Sequence, residues 1–117
     1  MERYTLKPFP EALGDLLRER SSDRLKRFSL AAFVPEVTER TNLSFEYARL
    51  MLSGIRTLRT DVIEATGEAL GVDPHYFVEY RNAWVEWQMK KHPDLGLRVH
   101  DFLRELMESV DAEEAKG

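Results

Sequence analysis

The chain has 117 residues, 43% hydrophobic and 32% charged, enough for one compact domain with a useful core and an appended oligomerisation element. It contains no cysteine, which excludes disulfides, thiol catalysis and thiolate zinc sites, and no apolar run approaches the roughly 18 residues of a membrane span. The net charge of −4 hides an asymmetry: residues 1–60 hold 11 basic and 8 acidic side chains (+3), residues 61–117 hold 6 and 13 (−7). A basic front and an acidic back suit one docking pose on a polyanion.

Pro8 and Pro10 open a first helix, in which Leu13, Leu16 and Leu17 recur at helical spacing and Arg18-Glu19-Arg20 forms the solvated end. Ser21-Ser22-Asp23 breaks it, and Arg24-Leu25-Lys26-Arg27-Phe28 makes a basic connector. A proline in a helix interior costs about 3 kcal/mol but is tolerated in a first turn. Pro35 therefore sets the expected start of the second helix near Phe33 or Val34, running to Thr41; the alternative is a helix from Ser29 kinked at Pro35. Asn42 is expected to take the left-handed conformation in the turn that follows. Ser44 caps a third helix, with Glu46 in its positive first turn and Gly54 as its stop.

Thr60-Asp61 is expected to cap a fourth helix, with Val62, Ile63, Ala65, Ala69 and Leu70 inward, Gly67 toward solvent and Gly71 as terminator. Asp73-Pro74 opens a fifth helix to about Lys91, and His92-Pro93-Asp94 breaks the chain again. A sixth helix carries Val99, Phe102, Leu103, Leu106, Met107 and Val110 as one apolar stripe and ends in an acidic tail expected to fray. The fold class expected is all-α.

The second and third helices carry the functional signal. Two short helices joined by a tight turn, the second starting at a strong cap, have the layout of a helix-turn-helix that places its second helix in the DNA major groove. Val37 and Thr38 are the expected packing pair between the helices, and Leu43 the plug of the turn. Phe45, Glu46 and Arg49 face outward, with Tyr47 and Leu50 at least partly inward. Phe45 can pack on a thymine methyl, Glu46 can accept from cytosine N4, and Arg49 can donate to guanine O6/N7 or to a phosphate. Ser44 can cap the helix and donate to a phosphate. Arg24, Lys26, Arg27, Arg56 and Arg59 are the candidate phosphate contacts, set against a plain solvated surface.

These residues resemble the helix-turn-helix regulators of the lambda repressor and Cro (XRE) type. The similarity spans Val37 to Phe77 and is strongest at Leu52-Ser53-Gly54-Ile55-Arg56-Thr57-Leu58-Arg59 and at Glu68-Ala69-Leu70-Gly71-Val72-Asp73-Pro74-His75-Tyr76-Phe77. The Ser44-x-x-Tyr47 start of the third helix and the Ser53-Gly54-x-Arg56-Thr57 exit are similar, more loosely, to actinobacterial regulators of the EspR type. The resemblance implies a five-helix DNA-binding domain with its third helix in the groove. Base readers would be Phe45, Glu46 and Arg49, and the loop at Ile55, Arg56 and Arg59 would touch phosphate or base. Departures are Thr38 where the family prefers Ala, Asn42 where it prefers Gly, and Val34 where a phosphate-clamping Gln often stands.

Tyr76, Phe77, Tyr80, Trp84 and Trp87 form an aromatic stripe in an acidic segment, which favours core packing and an interface over base stacking. Tyr76, Phe77 and Tyr80 are assigned to the core; Trp84, Trp87, Phe102, Leu106 and Val110 to a dimer interface. A two-fold dimer would hold two recognition helices about 34 Å apart, one turn of DNA. His75, His92 and His100 have no metal-ligand or catalytic spacing, and His100 and Asp101 are expected to point to different faces.

The sequence therefore predicts a DNA-binding domain over 1–80 and a helical dimerisation segment over 81–117. The expected protein is a cytoplasmic, homodimeric, sequence-specific regulator of transcription, a repressor at an inverted repeat, with double-stranded DNA as partner and no enzyme activity, metal or cofactor. The alternatives are an antitoxin or adaptor whose C-terminal aromatic face binds a protein partner, and an architectural DNA binder of little specificity.

Overall fold

A computed structural model describes residues 2–20 and 29–116 and is all-helical over them. The helices are α1 (Phe9–Arg20), α2 (Leu30–Thr38), α3 (Phe45–Leu52), α4 (Thr60–Leu70), α5 (Val78–Lys91) and α6 (Pro93–Lys116), with a 3-10 turn at Pro74–Tyr76. The expected basic connector, with Arg24, Lys26 and Arg27, lies outside the described residues. The chain divides into two compact units, residues 1–83 and 84–117. No helix among the described residues is long and apolar enough to cross a membrane.

The first unit has one core. Phe9, Leu13, Leu16 and Leu17 of α1 meet Phe33, Val34 and Val37 of α2, Ala48, Met51 and Leu52 of α3, and Val62, Ile63 and Ala65 of α4. Phe77 closes it, fully buried, with its ring 4.7 Å from that of Phe9. Tyr76 and Tyr80 pack partly buried against the same core.

The second helix starts earlier than Pro35 suggested. Ser29 is its cap, accepting from the Ala32 amide at 3.1 Å, and Pro35 lies inside the helix, which ends at Thr38 rather than Thr41. The missing Pro35 N–H would have bonded the Ala31 carbonyl, and Ala31 and Pro35 are both exposed, so water can serve that carbonyl. Against a proline cost of about 3 kcal/mol stand a cap of about 1 kcal/mol and the burial of Phe33, Val34 and Val37 on one helical face, about 1.5–3 kcal/mol each.

The turn also differs from expectation. Among the described residues only Gly54 and Gly71 have positive φ, so Asn42 is not left-handed. Residues 39–44 instead unwind gradually: the amides of Arg40 and Thr41 bond the carbonyls of Val37 and Thr38, and the Thr41 hydroxyl donates to Val37 O. The Arg40 guanidinium donates to Glu36 O at 2.7 Å. The last carbonyls of α2 are thus satisfied by side chains and tighter backbone bonds, which removes the need for a left-handed residue.

Helices α4 to α6 also depart from expectation. Arg59, not Thr60 or Asp61, is the α4 cap residue and makes no side-chain cap bond. Gly67 is buried, not solvent-facing: a Cβ there would stand 2.5 Å from the Val72 carbonyl oxygen, so the chain leaving α4 passes too close for any side chain. The fifth helix is split. Asp73 caps only the 3-10 turn, Phe77 is extended (φ −87°, ψ 133°), and α5 begins at Val78. That break turns the Phe77 ring into the core. His92 alone separates α5 from α6, and α6 continues helical through the acidic residues to Lys116. His100 Nδ1 lies 3.1 Å from Asp101 Oδ1, so those side chains meet rather than diverge.

Candidate nucleic-acid interface

Helix α3 is held from behind and open in front. Ser44 Oγ accepts from the Tyr47 amide at 3.2 Å, fixing the first turn. Ala48, Met51 and Leu52 are buried against the core, while Tyr47 and Leu50 are half-buried. Leu43 packs on the core from the turn. At the far end Gly54 has φ +83°, and a Cβ there would stand 2.8 Å from Pro10 Cγ of α1. Gly54 thus releases the chain from α3 while allowing α1 to approach closely.

The front of α3 presents Phe45, 46% exposed, with Glu46 and Arg49 beside it. Glu46 and Arg49 are joined in a two-point pair: Arg49 Nε donates to Glu46 Oε2 at 3.1 Å and Nη2 to Oε1 at 2.5 Å. Those hydrogen bonds lower the Glu46 carboxyl below its ordinary value and raise the Arg49 guanidinium. The i, i+3 spacing of opposite charges was the sequence signal for this pair. Arg49 keeps Nη1 uncommitted in it, so the guanidinium edge still carries donors outward.

The loop after α3 carries Ile55, 69% exposed, and Arg56, whose guanidinium lies 5.2 Å from the centre of the Tyr47 ring. Among the described residues Arg56 has no ion-pair partner. Arg59 is tied to Asp61, with Nε at 3.0 Å and Nη2 at 2.8 Å. The structure therefore brings Ser44, Phe45, Glu46 and Arg49 onto one helix with Arg56 and Arg59 on the adjoining loop. Among the described residues of the site, Arg56 has no ion-pair partner, and Arg49 and Arg59 are already held by carboxylates.

Two residues that sequence reasoning left without a role hold the scaffold behind this face. Glu79 Oε2 accepts from the Phe9 amide at 2.7 Å, placing a carboxylate at the positive end of α1. The Arg81 guanidinium donates to the carbonyls of His75, Tyr76 and Thr5 and lies over the Tyr4 ring at 5.0 Å. A sequence separation of 70 or more residues hides both contacts from any local pattern.

The residues assigned to a dimer interface lie in the second unit, and in the single chain all but Val110 are exposed. Trp84 is 44% and Trp87 52% exposed, Lys91 Nζ sits 3.7 Å from the Trp87 ring centre, and Phe102 and Leu106 are exposed. Val110 is half-buried. No group of three or more His, Cys, Asp or Glu with metal-binding geometry occurs among the described residues. Comparison with protein-family models, curated proteins and solved structures gives no match.

Proposed function

We propose that this chain is a cytoplasmic, DNA-binding regulator of transcription, acting as a homodimeric repressor that occludes a promoter at an inverted repeat. The observation that carries this reading is α3 itself. Three buried side chains anchor the helix, a serine caps it, and its first turn stays open to carry Phe45 and Glu46 outward, with Arg49, partly exposed, in the last turn and bonded to Glu46. A helix offered to a major groove needs that combination of a rigid back and a free N-terminal front.

In this reading Phe45 packs on a thymine methyl, and the Glu46–Arg49 pair acts as one reader. The carboxylate orients the guanidinium, which donates to guanine O6/N7 with its free edge, while Glu46 keeps acceptor capacity for cytosine N4. Arg56 contacts a phosphate at the exit of the helix, and Arg59 joins it by exchanging Asp61 for phosphate. The chain acts without metal or cofactor and has no catalytic role.

The experiment is capture of sheared source-genome DNA on the purified protein at near-physiological salt with excess competitor, beside the Arg49→Ala/Arg56→Ala variant. A few enriched loci sharing an inverted repeat, lost in the variant, are the expected result. Broad recovery that disappears with modest salt would reduce the protein to a nonspecific binder. The exposure of Trp84 and Trp87 favours a second reading, an antitoxin or adaptor that covers them with a protein partner. Absence of any DNA recovery would turn the search to that partner.

A further inference from the structure

Helix α6 spans 24 residues, about 36 Å, and its apolar side chains are largely uncovered. Leu95, Val99, Phe102 and Leu106 recur at alternating steps of four and three, the seam of a helix that pairs with another helix. Val99 is half-buried and the other three are exposed. A lone helix with such a seam leaves its apolar side in water, and pairing removes it.

The charges beside the seam select the occupant. Arg98 and Glu105 flank it on one side, seven residues apart, too far along the helix to reach each other; among the described residues neither has an ion-pair partner. Of their neighbours, Arg104 is paired with Glu108, and Asp101 lies within hydrogen-bond distance of His100. We propose that α6 pairs antiparallel with α6 of a second copy of this chain, about a two-fold axis between residues 100 and 101, so that Arg98 of each copy meets Glu105 of the other. This rests on the homodimer reading above and adds to it the contact surface and its direction.

The register follows from the seam. Leu95 lies against Leu106 of the second copy at both ends, and Val99 against Phe102 at both central layers, a small side chain opposite a large one. Both Arg98–Glu105 contacts then form at once. Parallel pairing brings the same flanking positions against residues five further on. It would set Arg98 against Leu103 and Glu105 against Val110, two charges on apolar side chains with no partner. A dimer of this kind is isologous, the symmetry an inverted repeat requires.

The test joins charge reversal to cross-linking. Sedimentation should show Arg98→Glu and Glu105→Arg each weakening self-association about tenfold or more by setting like charges opposite, with the double variant restored to near the wild-type constant. Because the chain has no native cysteine, Leu95→Cys and Leu106→Cys report direction cleanly. Mixed together they should cross-link to each other, and each alone should not cross-link to itself. Self-linking of each single variant, or failure of the double reversal to restore association, overturns the antiparallel pairing while leaving a homodimer standing. A chain that stays monomeric at all concentrations overturns the pairing and the homodimer together.

Discussion

Phe77, in the first compact unit, is fully buried against Phe9, whereas Phe102, in the second, keeps 64% of its surface exposed. The contrast extends to their neighbours: α1 to α4 each turn several side chains into a shared core, and α6 turns none. The first unit satisfies its apolar surface within itself. The second carries a seam that a single chain leaves uncovered. One region is thus built for internal stability, the proposed pairing gives the other a contact to make, and substitutions should affect different observables in each.

The largest difference is expected from the same change made in both. Phe77→Ala should cost the first unit about 3–5 kcal/mol, through lost burial and the cavity left beside Phe9. Phe102→Ala should change monomer unfolding by no more than about 0.5 kcal/mol, since an exposed ring loses little. Denaturant unfolding at dilute concentration measures both, and equal losses would erase the distinction between the units.

A smaller effect sharpens the account of how tightly the first unit is built. On an open helix face Gly67→Ala would stabilise by about 1 kcal/mol through helix propensity. Here the new methyl meets the Val72 carbonyl, with the Pro74 backbone nitrogen 3.4 Å away, so we expect destabilisation of about 1–3 kcal/mol. The sign of the change in thermal midpoint decides it.

The smallest effect concerns the surface of α3. The Arg49 bonds lower Glu46, as those of Lys7 lower Asp15. A carboxylate with a depressed folded pKa contributes stability that is present above its unfolded pKa and is lost as pH falls through the folded one. Carboxyl resonances of Glu46 and Asp15 should therefore titrate below the ordinary range, and Arg49→Ala should return Glu46, and not Asp15, to it. Both pairs are exposed, so the accompanying change in stability is slight.

Much of this was legible in local sequence. Ser44 and Gly54 bound α3 in the sequence as they do in the structure, and the leucines of α1 and the inward face of α4 follow helical spacing. The rest failed where a local rule met a longer-range term. Pro35 argued for a late start to α2, but a cap at Ser29 and three buried side chains outweigh it. Gly67 looked like a tolerated surface glycine because the chain that crowds it lies five to seven residues on, beyond a turn. Phe77 breaks a segment that reads as continuous helix, because its ring gains more in the core than in the helix. In the candidate site, the face of α3 was readable from spacing. The carboxylate holding Arg49 was within reach of the i, i+3 rule, whereas the i, i+2 contact of Arg59 with Asp61 and the Tyr47 ring beneath Arg56 required coordinates.

The short segment ahead of α1 is fastened to the start of α5. The Thr5 amide donates to Tyr76 O at 3.0 Å, the Thr5 carbonyl accepts from Arg81, and the Tyr4 ring lies beside the same guanidinium. A pull on the chain at residue 2 would therefore load Thr5 and pass through Arg81 into the first turn of α5 before it strained α1. The beginning of the chain and the start of its fifth helix share one fastening, so tension at the N-terminus would be felt first some seventy residues away.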